Sequence, residues 1–321
     1  MSSFGDLNRV NTNIQSLDSQ LSLNRINKGM AENQLRMSTG LRINKAEDDA
    51  AGYSIATKLN ARVAGLEQSL ANVGDAKSVL DIAESSFDTV MDNLIEMKSL
   101  STQAANDTLG ADERGYIGSQ IESLAEDINE VADQTVFQDT QLLNGSVSAG
   151  GTASNSGGLT LTFQVGERST DTLATTINAV NVGELFADTG DANLGATAGA
   201  GGTTASIVAT AATAGNAGTL TFASTATAAD FRNFIDSVDS AIGGMNDRVN
   251  SIGMAQSSLS TREVTLSQSI SANSSASSRI MDADFAKEQS ESVRLQILQQ
   301  TSTSALAQAN MGPQSVLGFL G

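Results

Sequence analysis

A chain of 321 residues with no Cys, no His and no Trp has no thiolate nucleophile and no disulfide framework, and it lacks the commonest general base and metal ligand. Its formal net charge of -18 argues against nucleic acid as a partner, because phosphate binding needs Lys and Arg. No run approaches the roughly 20 apolar residues of a membrane span, so no membrane insertion is expected, and residues 1–23 lack the basic region and apolar core of a cleavable secretory signal.

From the N-terminus, Leu7, Val10, Ile14, Leu17 and Leu21 recur at spacings of three and four, the seam of a coiled coil. The seam fades at Asn24 and Lys28 and resumes at Leu35. So narrow a stripe with polar flanks is marginal alone, and the helix should order only against partners. Gly40 and Asn44 read as a helix stop and connector. Glu47, Asp48 and Asp49 follow where the next helix begins. A metal or acid/base site is one reading of this trio, and helix capping explains it without further assumptions.

The next stretch is the strongest signal in the chain. Leu59, Leu66, Val73, Leu80, Phe87 and Leu94 recur every seven residues, with Ala76, Ala83, Val90 and Met97 adding a second seam position. This predicts a long rod ending near Asn106, weakened only at Gly65 and Gly74. Asp112 opens a third helix with Ile117, Ile121, Leu124, Ile128 and Val131 on one face. The short polar link before it makes this helix antiparallel to the rod. It ends near Gln134, and residues 142–145 read as a turn.

The texture then changes. Residues 159–165 alternate with period two and predict a strand, 172–182 a strand or short helix, and 219–222 a second strand. Between them, 188–218 is mostly Ala, Gly and Thr, too poor in large apolar groups for a substantial core. The Gly-rich run 195–202 lacks the Lys-Ser/Thr and helix of a phosphate loop. Thr203, Thr204 and Ser206 could carry glycans on composition alone.

Helix returns at Ala228. Phe231, Ile235, Val238, Ile242, Met245, Val249, Ile252, Leu259, Leu266 and Ile270 hold the three-four stride, broken at Gln256 and Glu263. Residues 271–278 read as a polar break. A weaker amphipathic helix begins at Phe285, with a seam of falling size through Leu295, Leu298, Ser302, Ala305 and Ala309, ending at Gly312 and Pro313. The expected fold is mainly α, a long antiparallel coiled-coil-like helical bundle with a small β-rich, Gly/Thr-rich central region. Rod should pair with rod and terminus with terminus. The terminal pair keeps apolar positions that one partner cannot cover, which predicts self-association.

Two stretches carry a family resemblance. Leu35, Arg36, Ser38, Gly40, Leu41, Arg42, Ile43 and Asn44, then Asp48, Asp49, Ala50 and Gly52, resemble the N-terminal signature of bacterial flagellin. Residues 282–288, 296–300 and 305–310, with Pro313, resemble its C-terminal signature. The resemblance covers roughly 1–145 and 226–321 and leaves the centre uncovered. It implies an inner-tube domain of 1–45 with 277–321, a helical rod domain of 46–187 with 219–276, and a short variable segment, 188–218. It further implies a subunit that stacks head to tail into an extracellular filament and is exported through the flagellar type III apparatus. The implied partners are further copies of itself, an export chaperone at the C-terminal helix, a cap protein and hook-junction proteins. Neither cofactor nor metal is implied.

One position departs from the pattern. Many flagellins carry an Arg near the end of the first rod that engages the host innate receptor TLR5. An ungapped alignment puts Glu96 there, while Leu100 and Gln103 match. Reversing a charge at a contact weakens binding, so receptor activation is expected to be weak or absent. The plainer reading of Glu96 is a solvated rod residue. Among alternative functions, a hook–filament junction protein also resembles flagellin at both ends, but residues 44–52 and 296–300 favour flagellin. A coiled-coil adaptor or surface adhesin explains the seams and not the signatures. An enzyme is disfavoured by the missing His and Cys and by the lack of a convergent polar cluster.

Overall fold

The structure is a computed structural model that describes residues 13–145, 157–186, 192–193, 206–210 and 217–317. Leu7, Val10, Thr203 and Thr204 lie outside the described residues. The elements in chain order are α1 (Ile14–Thr39), α2 (Ala50–Ala104), α3 (Ala111–Gln134), β1 (Val136–Phe137), β2 (Thr140–Gln141), β3 (Gly158–Gln164), β4 (Thr172–Asn178), α4 (Val182–Phe186), β5 (Ala192–Asn193), β6 (Ile207–Ala209), β7 (Leu220–Phe222), α5 (Ala228–Met281) and α6 (Phe285–Leu317). The chain forms two compact units, Met1–Ala64 with Ile270–Gly321, and Gly65–Ser269.

The second unit holds the main core. Leu66, Val73, Leu80, Phe87 and Leu94 of α2 are buried together with Ala76, Ala83, Val90 and Met97. Phe231, Val238, Met245, Ile252, Leu259 and Leu266 of α5 are buried as well. Lys98 pairs with Asp239 at 2.5 Å and Lys77 with Glu263 at 3.0 Å. Gln256 donates to Asp81 and Glu84 at 2.9 and 2.7 Å. Positions climb on α2 as they fall on α5, so the two rods run antiparallel. The two polar residues that interrupt the α5 seam are thus met by polar partners. The α3 helix also returns along α2, since Thr135 beyond its end donates to Ser86 at 3.0 Å.

Small elements pack along this unit, β3 against α2 at Asn72 and β7 against α3 at Gly118. Gln138 and Asp139 both have positive φ, 46° and 63°, the two-residue primed turn that joins β1 to β2. β3 pairs with β4 in antiparallel register, Leu159 opposite Ile177. The strand 220–222 pairs with β6, Ile207 facing Phe222, and not with the 159–165 segment whose sequence it echoes. Phe222 stacks on Phe231 at 5.4 Å and meets Phe234 edge-on at 5.3 Å, while Phe186 of α4 stacks on Phe234 at 5.8 Å. This cluster buries Phe234 beside the expected seam and leaves Ile235, Ile242 and Val249 half-buried. Gly118 permits it, because a Cβ there would lie 3.1 Å from Phe222.

Two expectations are corrected. Residues 271–278 are not a break, since α5 continues to Met281. Ser277 is buried and donates to Asn60 at 2.7 Å, so tertiary packing overrides the weak propensity of the Ser/Asn run. Nor does α6 stop at Gly312 and Pro313, because it reaches Leu317. Pro313 has no N–H for the carbonyl four residues back. That carbonyl, Ala309, instead accepts from the Asn13 side-chain amide at 2.8 Å.

Candidate self-assembly surfaces

The first unit is built on α1 and α6, which run antiparallel. Asn13 reaches Ala309, Asn27 meets Gln299 at 2.9 Å, and Asn33 meets Glu288. The face that α1 turns to α6 carries Ser16, Ser19, Leu23, Ile26, Met30, Asn33 and Met37, all at least half-buried. The expected apolar seam lies on another face. Ile14 is 38% exposed, Leu17 57% and Leu21 50%. On α6, Leu295 and Ala309 turn towards α1, whereas Leu298 and Ala305 are exposed. Val293, Ile297 and Met311 are exposed too. The pair thus has a mixed apolar and polar face where its own helices meet and a second, uncovered apolar stripe facing away. Apolar stripes of this kind mark association surfaces on soluble chains.

The 35–52 signature builds the connector between α1 and α2. Gly40 takes the left-handed conformation at φ 72° and ends α1, its N–H donating to Arg36. Leu41 bridges Asp282, the Arg42 N–H donates to the Met281 carbonyl at 2.6 Å, and the Ala283 N–H donates to the Gly40 carbonyl at 2.9 Å. The Arg42 guanidinium donates to the Ile280 carbonyl at 2.8 Å. Ile43 is buried. Asn44 donates through its amide to the Leu41 carbonyl, and the Asn44 and Lys45 N–H groups donate to Asp48 at 3.0 Å. Those backbone donors, Lys45 first and then Asn44, hold the Asp48 carboxyl below its ordinary range. Asp49 caps α2 by accepting from Ala51 and Gly52. Leu35, Ser38 and Ala50 are exposed, and Arg36 is half-buried. Asp48 and Asp49 of the acidic trio therefore serve turn closure and capping.

A cleft of about 580 Å³ opens beside this connector, lined by Lys28, Ala31, Glu32, Leu35, Arg36, Asn44, Lys45, Glu47 and Asp48. Lys28 pairs with Glu32 at 3.8 Å and Arg36 with Glu288 at 3.9 Å. Its charges are of mixed sign. Among the described residues no group of three or more His, Cys, Asp and Glu is placed to hold a metal, and no helix is long and apolar enough to cross a membrane.

On α2 in the second unit, Glu96 and Gln103 are exposed and Leu100 is half-buried. Ile95 beside them is 54% exposed and Ile82 39%. Sequence reasoning missed Asn13, Asn33 and Glu288 as contacts. The available signal was Asn33 itself, a polar residue in phase with Leu23, Ile26 and Met30.

Two family models match the chain. The bacterial flagellin N-terminal helical region matches residues 10–148 and the bacterial flagellin C-terminal helical region matches 235–320. The chain is similar to the flagellin of Listeria monocytogenes, 31% identical over 307 residues that cover 95% of this chain and 97% of that one. It is 32% identical to the flagellin of Bacillus subtilis over 318 residues, 97% of this chain and 99% of that one. It is 28% identical to a flagellar filament 33 kDa core protein of Treponema phagedenis over 314 residues, with the same two coverages. A crystal structure of Bacillus cereus flagellin aligns at 20% identity over 61% of this chain and 88% of its own, with a TM-score of 0.42, and carries no further argument.

Proposed function

We propose that this chain, which belongs to the bacterial flagellin family, is the structural subunit that polymerises head to tail into the flagellar filament used for motility. One observation carries the reading from the physics side: Ile14, Leu17 and Leu21 lie exposed on α1, while Leu23, Ile26, Met30 and Met37 already occupy the face turned to α6. A monomer built this way gains by burying that stripe against further copies of itself. A head-to-tail contact between different faces does not close, and so propagates as a helical polymer.

The inner tube is assigned to 1–45 with 277–321, with Leu7, Val10, Ile14, Leu17, Leu21, Leu295, Leu298, Ala305 and Ala309 as assembly residues. The rod domain is assigned to 46–187 with 219–276, and 188–218 to a variable segment. Export by the flagellar type III apparatus, and contacts with an export chaperone, a cap and hook-junction proteins, rest on family membership alone. Glu96 stands where many family members carry Arg, so weak TLR5 activation is the expected outcome. A reporter assay giving activation equal to an Arg-bearing flagellin would sink that part of the proposal.

The assembly test is seeded elongation. Purified chain added to short filament seeds should grow long filaments. A variant lacking about the first and last 40 residues should stay folded, because the strong α2 and α5 seams lie inside that boundary, yet fail to elongate. Filament growth by the truncated chain would contradict the assignment of the tube to the termini.

A further inference from the structure

The α1/α6 interface mixes apolar residues, Leu23, Ile26, Met30 and Met37 of α1 with Leu295, Leu306 and Ala309 of α6, with small and polar ones. A shift of one heptad would still bring apolar and small groups together. Packing alone therefore discriminates weakly between registers.

Two asparagines near the ends of α1 discriminate strongly. Asn33, 4% exposed, donates to the Glu288 backbone carbonyl at 3.0 Å and to the Glu288 carboxylate at 2.7 Å. Glu288 is itself 9% exposed, and Arg36 stands 3.9 Å from its other oxygen. Asn13 accepts from the Ser16 N–H through its carbonyl, capping α1. Its amide donates to the Ala309 carbonyl at 2.8 Å, the acceptor left without its usual helical donor by Pro313. The two ties lie 20 residues apart on α1 and 21 on α6, about 30 Å and 31.5 Å of helix. Both close together in one register. Any slip leaves a buried carboxylate, a buried amide and an orphaned carbonyl unpaired at once.

We propose that Asn13 and Asn33, with Pro313 and Glu288 as their counterparts on α6, form a two-point lock that sets the register of α1 against α6. The lock thereby aligns the outward stripes of the two helices into one assembly face. The proposal rests on the self-assembly reading for its consequence, though not for its geometry. These are positioning residues, since they act by deciding where Ile14, Leu17 and Leu21 stand relative to Val293, Ile297 and Met311.

The native chain has no cysteine, so introduced pairs report register directly. Asn27→Cys with Gln299→Cys should form a disulfide in the native register, and Asn27→Cys with Ser292→Cys one heptad away should not. Asn13→Asp keeps the cap acceptor and removes the donor to Ala309. Combined with Asn33→Leu and Glu288→Leu, which fill the buried space with apolar groups, it should spread cross-linking over both pairs and slow seeded elongation about tenfold or more. Pro313→Ala restores an N–H for Ala309 in every register, so added to Asn33→Leu with Glu288→Leu, where the Ala309 tie alone remains, it should raise the share of the 27–292 cross-link. Exclusive 27–299 cross-linking and normal elongation in the triple variant would overturn the lock. Exclusive 27–299 cross-linking in that Pro313→Ala variant would overturn the Ala309 tie. Failure of the unsubstituted chain to elongate would count against the filament reading instead, while the cross-link yields still decide the lock.

Discussion

Gly52 shows how a signature residue can be explained by its neighbours. A Cβ there would lie 2.6 Å from the Asp49 carboxylate and 2.8 Å from Ile43 Cδ1, so it would displace both the α2 cap and the buried anchor of the connector. Gly52→Ala should cost about 1–3 kcal/mol, read from the denaturant midpoint. A midpoint equal to the parent would show that the connector yields freely. Asp48 makes a pH prediction. Its folded-state carboxyl lies below its ordinary value of 3.8 because the Lys45 and Asn44 N–H groups hydrogen-bond the charged form. A depressed group stabilises fully above its unfolded value and loses that contribution as pH falls through the folded one. The 44–48 turn should therefore loosen only below pH 3.8. An NMR titration placing the Asp48 midpoint at or above that value would contradict it. The signature string was legible in the sequence, but the task of each residue was not, because Arg42 and Leu41 find their partners at 280–282.

At the scale of elements, α2 has two kinds of apolar residue, and the structure separates them. Phe87 is fully buried, and Phe87→Ala should destabilise by about 3–5 kcal/mol through lost burial and a residual cavity. Ile95 is more than half exposed, and Ile95→Ala should change monomer stability by no more than about 0.5 kcal/mol. Guanidinium unfolding of the two variants checks the contrast, and equal losses would refute the assignment of faces. The Lys77–Glu263 pair is half-buried at Lys77 and exposed at Glu263, so it adds little to stability. Its effect is on matching, because it places a cation opposite an acidic residue that interrupts the α5 seam. The seven-residue stride of α2 made this helix readable, since periodicity is a local property. The hairpin at 136–141 was missed, because two positive-φ residues that are not Gly leave little trace in sequence.

Across the whole molecule, charge is unevenly shared. The unit of Met1–Ala64 and Ile270–Gly321 holds eleven Lys/Arg and ten Asp/Glu, while Gly65–Ser269 holds seven and twenty-six. The second unit therefore carries a formal charge of -19 and the first +1, which together give the net -18. Copies brought together in a polymer repel through that unit, and salt shortens the reach of repulsion from about 10 Å at 0.1 M to about 3 Å at 1 M. Seeded elongation should accelerate as salt is raised from low concentration. A rate that falls steadily with salt would mean that attraction between opposite charges drives the contact.

The sequence by itself determined the helices and the buried stripes of the long rods, because stride acts over a few positions, and Gly40 marked the end of α1. It also carried both terminal signatures, and with them the family. The tertiary structure alone decided which face of each helix finds a partner. It turned Ile14, Leu17 and Leu21 outward, carried α5 through its serine run, and set Asn13 against Ala309 and Asn33 against Glu288. These outcomes depend on residues more than 200 positions apart, and no local pattern specifies which of two competing stripes is satisfied within the chain.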